Sequence, residues 1–322
     1  MRFGISFVLA LLICQSCYCW GFFGHRKINN YAVFMLPPQM IIFYKKNIDF
    51  LIEHAVDPDK RRYLVAAEGP RHYIDLDQYG EYPYKNLPRN WDSAVQVFSA
   101  DSLQKHGVVP WWILRMKWRL TKAFKEKNRT AILKISADIG HYIADAHVPL
   151  HASSNHNGQY TNQTGIHGFW ESRVPELFAT KEYDFVIGKA VYLAHPEKFI
   201  WERVLESAAA ADTVLKTESS LNAEFPVFGK YAYEERNGLL VRQYSTSYSA
   251  QYQQRLQGMV ERRMRQSIFA VASFWYTAWV DAGQPDLSKI SDEEFSISEL
   301  IEWEELNRQW QNGPKSERTC SN

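Results

Sequence analysis

The stretch His141-Tyr-Ile-Ala-Asp145-Ala-His147-Val-Pro149-Leu-His151, with His167-Gly-Phe-Trp-Glu171 after a polar interval, decides how this chain is read. It contains two H-x-x-x-[DE] pairs. On a helix, residues i and i+4 lie on one face a turn apart, so each pair aims an imidazole and a carboxylate at one point. Nitrogen and oxygen ligands of that kind suit zinc and similar divalent metals. Pro149 stops the helix and turns the chain back, which returns His151 towards the same point. The interval Ala152–Ile166 has almost nothing to bury and reads as a loop. A lone pair of this type is more often a helix-surface ion pair or a satisfied core histidine. Two pairs plus His151 in one short stretch favour a metal site.

The chain has 322 residues, of which 46% are hydrophobic and 15% aromatic, enough to fill a substantial core. A formal net charge of +1 excludes a global basic field that would draw it to nucleic acid or acidic membranes. Three of the four cysteines (Cys14, Cys17, Cys19, Cys320) fall in an N-terminal segment with one positive charge and a short apolar run. That segment reads as a secretory signal peptide over 1–19, cut ahead of Trp20. The expected mature protein is exported, periplasmic or secreted, with no transmembrane anchor, no obligate protein partner and no internal disulfide.

A phosphoesterase domain is expected over 20–311, with a disordered polar tail over 312–322. A helix from about Gly24 is followed by Pro37-Pro38 and a second helix through Ile52. Asp57 and His72 could add ligands from outside the central helix; a solvated inter-helix loop is the plainer reading of that charged run. Residues 78–90 read as a surface loop. Helical patterns resume over Trp91–His106 and Val109–Lys127, where Ile113, Met116, Leu120 and Phe124 share a face. The helix from about Arg129 to Ala146 carries His141 and Asp145, and its Ile132, Ile135, Ile139 and Ile143 face the core. Asp138 either orients His141 or is a surface carboxylate. Further helices are expected around 182–193, 197–223, 245–282 and 291–311, and no strands. Within 245–282 the arginines of Glu261-Arg-Arg-Met-Arg265 read as a solvated face, and Phe274-Trp-Tyr-Thr-Ala-Trp279 as core.

Together these residues resemble the zinc-dependent phospholipase C and single-strand-specific zinc nuclease superfamily. The free amine and carbonyl of an N-terminal Trp bind zinc in that family, a position Trp20 matches, and His25 matches the histidine that follows. Asp57 and His72-Tyr73-Ile74-Asp75 match an Asp ahead of an His-aromatic-x-Asp motif. His141, Asp145 and His151 match its H-x-x-x-D-x-x-x-P-[LM]-H signature, and His167 with Glu171 its final pair. The resemblance implies an all-α fold around three zinc ions. Asp57, His72, His141 and Asp145 would hold one; Trp20, His25 and Asp145 its neighbour; His151, His167 and Glu171 the third.

It also implies hydrolysis of phosphodiesters, since zinc lowers the pKa of bound water and offsets phosphate charge. The expected reaction is attack of a metal-activated hydroxide on phosphorus, with Asp57 and Asp145 as catalytic residues and Asp57 assisting proton transfer. Lys60 or Arg61 is either a phosphate contact or an exposed charge. In the nuclease branch the positions of Tyr73 and Asp75 hold a base; in the phospholipase branch aromatics box a choline headgroup. Glu171, the short interval before His167 and the absence of disulfides favour a phospholipase C-like substrate. Asp75 and the Asp57-to-His72 spacing favour single-stranded nucleic acid. His147 departs from both branches. A catalytically silent exported zinc-binding protein is the remaining alternative, disfavoured because structural sites are usually closed by four side chains.

Overall fold

The computed structural model describes residues 21–236, 238–291 and 294–312. Trp20, the segment over 1–19 expected to be a signal peptide, and residues 313–322 of the expected tail lie outside them. The fold is all-α, with one small hairpin.

The first helix, α1 (Gly21–Val33), buries His25, Ile28, Asn29 and Ala32, the i, i+3, i+4, i+7 stripe of an amphipathic helix. The second expected helix is two: α2 (Pro38–Lys46) begins on Pro38, and Asn47 breaks the run before α3 (Ile48–Glu53). A 3-10 turn over His54–Val56 leads into the short α4 (Asp57–Arg61), whose first turn carries Asp57, Pro58 and Asp59. His72 closes a second 3-10 turn over Gly69–His72.

The expected helix over 91–106 is also divided. Asn90 caps α5 (Trp91–Phe98), accepting from Ser93 N at 3.1 Å, and Ser99 caps α6 (Ala100–His106), accepting from Ser102 N at 3.3 Å. Then α7 (Val109–Lys125) and α8 (Arg129–Asp145) pack side by side. Ile113, Met116, Leu120 and Phe124 are buried as their spacing requires; Ile132, Ile139 and Ile143 are buried, and Ile135 is half-buried. A 3-10 turn over Pro149–Ala152 presents His151. The turn α9 (Ile166–Gly168) widens into a π-helical turn, Phe169–Arg173, before α10 (Val174–Glu182).

Residues 183–195 form no helix, contrary to the pattern reading. They run as an extended strap whose backbone is satisfied by other elements: Ala190 N donates to Met35 O at 2.9 Å, and Leu193 N to Thr277 Oγ1 at 2.9 Å. The long α11 (Pro196–Glu224) follows. Next comes an antiparallel hairpin of β1 (Tyr231–Arg236) and β2 (Leu239–Tyr244), pairing Tyr231 with Tyr244, where no strand was expected. Then come α12 (Thr246–Arg255), a left-handed break at Gly258 (φ 74°), and α13 (Met259–Asp281). Finally α14 (Ile297–Asn312) sets Trp303 against Phe50, His54 and Phe295.

Helices α1, α7, α8 and α13 make the centre of one hydrophobic core. In α13, Phe274, Trp275 and Trp279 are core, with Trp275 Nε1 donating to Ser136 O at 3.1 Å. Arg263 in the same helix is buried rather than solvated; its Nε donates to His147 O at 2.8 Å. At the α1–α8 crossing the Asn29 side chain fills the space over Gly140, where a Cβ would lie 2.0 Å from Asn29 Oδ1. Asn29 holds the crossing by donating to Ala137 O and Leu51 O, each at 3.2 Å. That contact brings His25 against His141, their rings stacked at 3.7 Å.

Candidate metal centre

Five segments bring buried imidazoles and carboxylates together: α1 supplies His25, α4 Asp59, the turn at 69–72 His72, α8 His141 and Asp145, and the chain after α8 His151, His167 and Glu171. The backbone fixes two of the imidazoles. A carbonyl can only accept, so His141 Nδ1, 2.9 Å from Ala55 O, must carry the proton, leaving the Nε2 lone pair facing inward. His151 Nδ1 is held in the same way by His72 O at 2.7 Å. Metal-binding histidines are oriented by such second hydrogen bonds.

Asp145 sits at the centre. Its Oδ2 is 2.9 Å from His72 Nδ1 and 3.3 Å from His141 Nε2, and its Oδ1 is 3.5 Å from His25 Nε2 and 3.6 Å from His151 Nδ1. Burial drives its carboxyl up to about 8, despite the neighbouring imidazoles. Burial likewise lifts Asp59 to about 7. Glu171 behaves oppositely: burial alone would raise it, but His167 and His151 bring it down to about 2. His167 Nε2 lies 3.0 Å from Glu171 Oε2, so the wider π turn still lets the i and i+4 side chains meet.

Inward-facing atoms fall into three groups, each able to offer its atoms to one ion: His25, His141 and Asp145; Asp59, His72 and His141; and His151, His167 and Glu171. Both Asp59 oxygens and Asp145 Oδ1 are buried with no hydrogen-bond partner among the described residues. Buried carboxylate oxygens in that position are costly unless a cation meets them. The donor set, imidazole nitrogen with carboxylate oxygen, fits zinc.

The residues expected as ligands converge except two: Trp20 lies outside the described residues, and Asp57 points elsewhere. Asp57 accepts from His54 Nδ1 at 2.6 Å and from Lys60 Nζ at 2.9 Å, while Asp59 takes the place beside His72 and His141. The reason is helical geometry. Residues i and i+2 point about 200° apart, so in α4 only one of the two aspartates can face the cluster. Asp57 therefore does not reach the imidazoles it was expected to join, nor a position for proton transfer there.

Lys60 is neither exposed nor open to a phosphate, because its buried ammonium also donates to Asn307 Oδ1 at 2.7 Å. Arg61 pairs with Asp138 at 2.8 Å, so Asp138 holds α4 to α8 instead of orienting His141. Tyr73 donates to Lys105 O at 3.3 Å, and Asp75 lies 3.9 Å from His106 Nδ1, so both stand beyond His72 on the α6 side. His147 belongs to none of the groups; its Nδ1 is held by Ile143 O at 2.7 Å. Pattern reading also missed Glu68, which accepts from Arg71 Nη1 at 2.6 Å and from the Tyr142 hydroxyl, and stands 3.9 Å from His72 Nε2. Its spacing, four residues before His72, was a visible signal.

A family model described as zinc dependent phospholipase C matches residues 24–216. That span takes in His25 through Glu171. No curated protein matches the chain.

Proposed function

Because the chain belongs to the zinc-dependent phospholipase C family, we propose that it hydrolyses the phosphodiester of a phospholipid headgroup, with zinc held by the clustered imidazoles and carboxylates. The family makes it a zinc-dependent phosphodiesterase in general terms. The lipid substrate, a complement of three ions and export from the cell are parts of the proposal. The observation that carries it is the convergence of His25, Asp59, His72, His141, Asp145, His151, His167 and Glu171, all buried, on one locus.

His151, His167 and Glu171 would hold one ion, and His25, Asp59, His72, His141 and Asp145 would hold the others, with His141 serving a single ion because Ala55 O leaves it one free lone pair. Zinc, when bound, supplies a water of lowered pKa and positive charge for a phosphoryl group. The chain's own residues set the rest. Ala55 O and His72 O fix which nitrogen of His141 and His151 faces the cluster. Asp145, within 3.6 Å of four imidazoles, would supply the central anionic ligand and offset part of the positive charge that zinc would bring into this buried site. Glu171, already ionised at neutral pH, needs no proton loss before it can ligate. Tyr73 and Asp75, which follow His72 on the α6 side, are the candidates for headgroup contacts.

The test is the zinc-loaded chain assayed side by side on phosphatidylcholine vesicles and single-stranded DNA. Release of phosphocholine with intact DNA is expected. Nucleotide release with intact lipid would overturn the substrate and place the chain with the nucleases. Bound zinc with turnover on neither, nor on a chromogenic phosphodiester, would leave the cluster as a structural staple.

A further inference from the structure

A cavity of about 750 Å³ lies between the loop entering His72, the start of α5 and the N-terminal half of α7. No residue of the histidine–carboxylate cluster lines it. Its volume is within the range of small-molecule sites. One part of the wall is apolar, with Trp91, Trp111, Val108 and Leu114; the other carries the guanidiniums of Arg71, Arg89 and Arg115, and Glu197 is the one carboxylate in the lining.

The wall offers donors in excess. Arg89 donates through Nη2 to Pro83 O at 3.1 Å and lies over the Trp201 ring at 4.3 Å, but its Nη1 is buried with no partner among the described residues. The indole Nε1–H of Trp112 is buried without a partner in the same way. Arg115 has no carboxylate within ion-pair distance among the described residues; only Arg71 is neutralised, by Glu68. A second cavity, of about 860 Å³, shares Arg89, Leu114 and Glu197 with the first, so Arg89 stands where the two meet. Buried donors with no acceptor are costly, and a ligand bringing acceptor oxygens and negative charge relieves them.

The aromatic geometry narrows the ligand further. Arg71 covers the Trp112 face at 3.9 Å and Arg89 covers Trp201. Trp91 and Trp111 meet edge to face at 5.5 Å, as do Trp111 and Trp201 at 5.0 Å. No open parallel pair of rings is left to sandwich a flat base, whereas ring edges and aliphatic groups suit a flexible chain. We propose that this cavity binds a single-chain amphiphilic anion, an acyl carboxylate or a monoacyl phosphate ester, with its acidic head on the arginines and its chain against Trp91, Trp111 and Leu114. The site is separate from the metal centre and does not rest on the lipid reading of that centre.

The test is calorimetric titration of the zinc-loaded full chain with four probes below their micellar concentrations: oleate, oleoyl lysophosphatidate, neutral monoolein and adenosine monophosphate. Saturable binding is expected for oleate, for lysophosphatidate, or for both, which identifies the head as carboxylate or phosphate. Monoolein and the nucleotide should bind at least about tenfold more weakly. Arg89→Gln, and separately the exposed Arg115→Gln, should weaken the anion about tenfold, and Leu114→Trp should remove binding by filling the cavity. Tighter binding of the nucleotide, equal binding of monoolein, no binding of either anion, or full binding by a Leu114→Trp protein that melts like wild type would each overturn the proposal.

Discussion

Replacing Asp59 and Asp57 by Asn, one at a time, separates two roles that lie two residues apart. Asp59 has both oxygens buried beside His72 and His141, so Asp59→Asn removes an anionic ligand and puts a neutral amide in its place. The expected protein folds, retains fewer zinc ions than wild type, and turns over a chromogenic phosphodiester about 10²–10³-fold more slowly, the usual scale for losing one preorganised charged group. Asp57 is different. Burial alone would raise its carboxyl, but the His54 hydrogen bond and the Lys60 charge hold it below the ordinary range. Asp57→Asn leaves the Lys60 ammonium buried with only Asn307, and breaking a buried pair costs about 3–5 kcal/mol. For a domain of this size that lowers the melting temperature by on the order of 10 °C. Zinc content of the folded protein stays close to wild type, because the partners of Asp57, His54 and Lys60, belong to none of the clustered groups. The assays are metal content after gel filtration, thermal unfolding and turnover. If Asp57→Asn lost zinc at wild-type stability while Asp59→Asn kept its full zinc content, the assignment of the two aspartates would be refuted.

Three further perturbations test the helix crossing, the protonation of the centre and the core. Gly140→Ala should destabilise the protein by about 1–3 kcal/mol, because the added methyl collides with Asn29 where α1 crosses α8; unfolding in urea measures it, and wild-type stability would show the crossing to be looser than described. Zinc uptake at pH 7 should release protons and strengthen as pH rises towards 8: burial keeps the metal-free Asp145 carboxyl protonated to about 8, and that proton must leave before the group ligates. Titration calorimetry in buffers of different ionisation enthalpy reads this, and uptake independent of both buffer and pH would contradict it. Phe274→Ala, in the fully buried face of α13, should cost about 3–5 kcal/mol while the protein that remains folded binds its normal complement of zinc.

Much of the centre was legible because helical spacing carries it. His141 with Asp145, His167 with Glu171, and the apolar faces of α7 and α8 are all patterns of period 3.6. Asp59 was not, since family spacing pointed to Asp57 and only the sense of a single helical turn decides between carboxylates two residues apart. The hairpin was legible but overlooked: Tyr231–Arg236 and Leu239–Tyr244 flank Asn237-Gly238, a strong short-range hairpin signal. The strap over 183–195 carried a weaker warning, a β-branched run interrupted by Gly188 at φ 118°. What extends it is the set of acceptors and donors on α13 and after α1, which no local pattern contains. The burial of Lys60 and Arg263 likewise depends on partners 247 and 116 residues away in sequence.

The most direct measurement is phosphocholine release from phosphatidylcholine by the chelator-stripped chain as zinc is added back. No turnover without metal, then activity rising with bound zinc to a plateau and absent in Asp145→Asn, is the predicted result. Turnover that persists under chelation, or that survives in Asp145→Asn at full rate, would contradict a zinc-dependent phosphodiesterase built on this cluster.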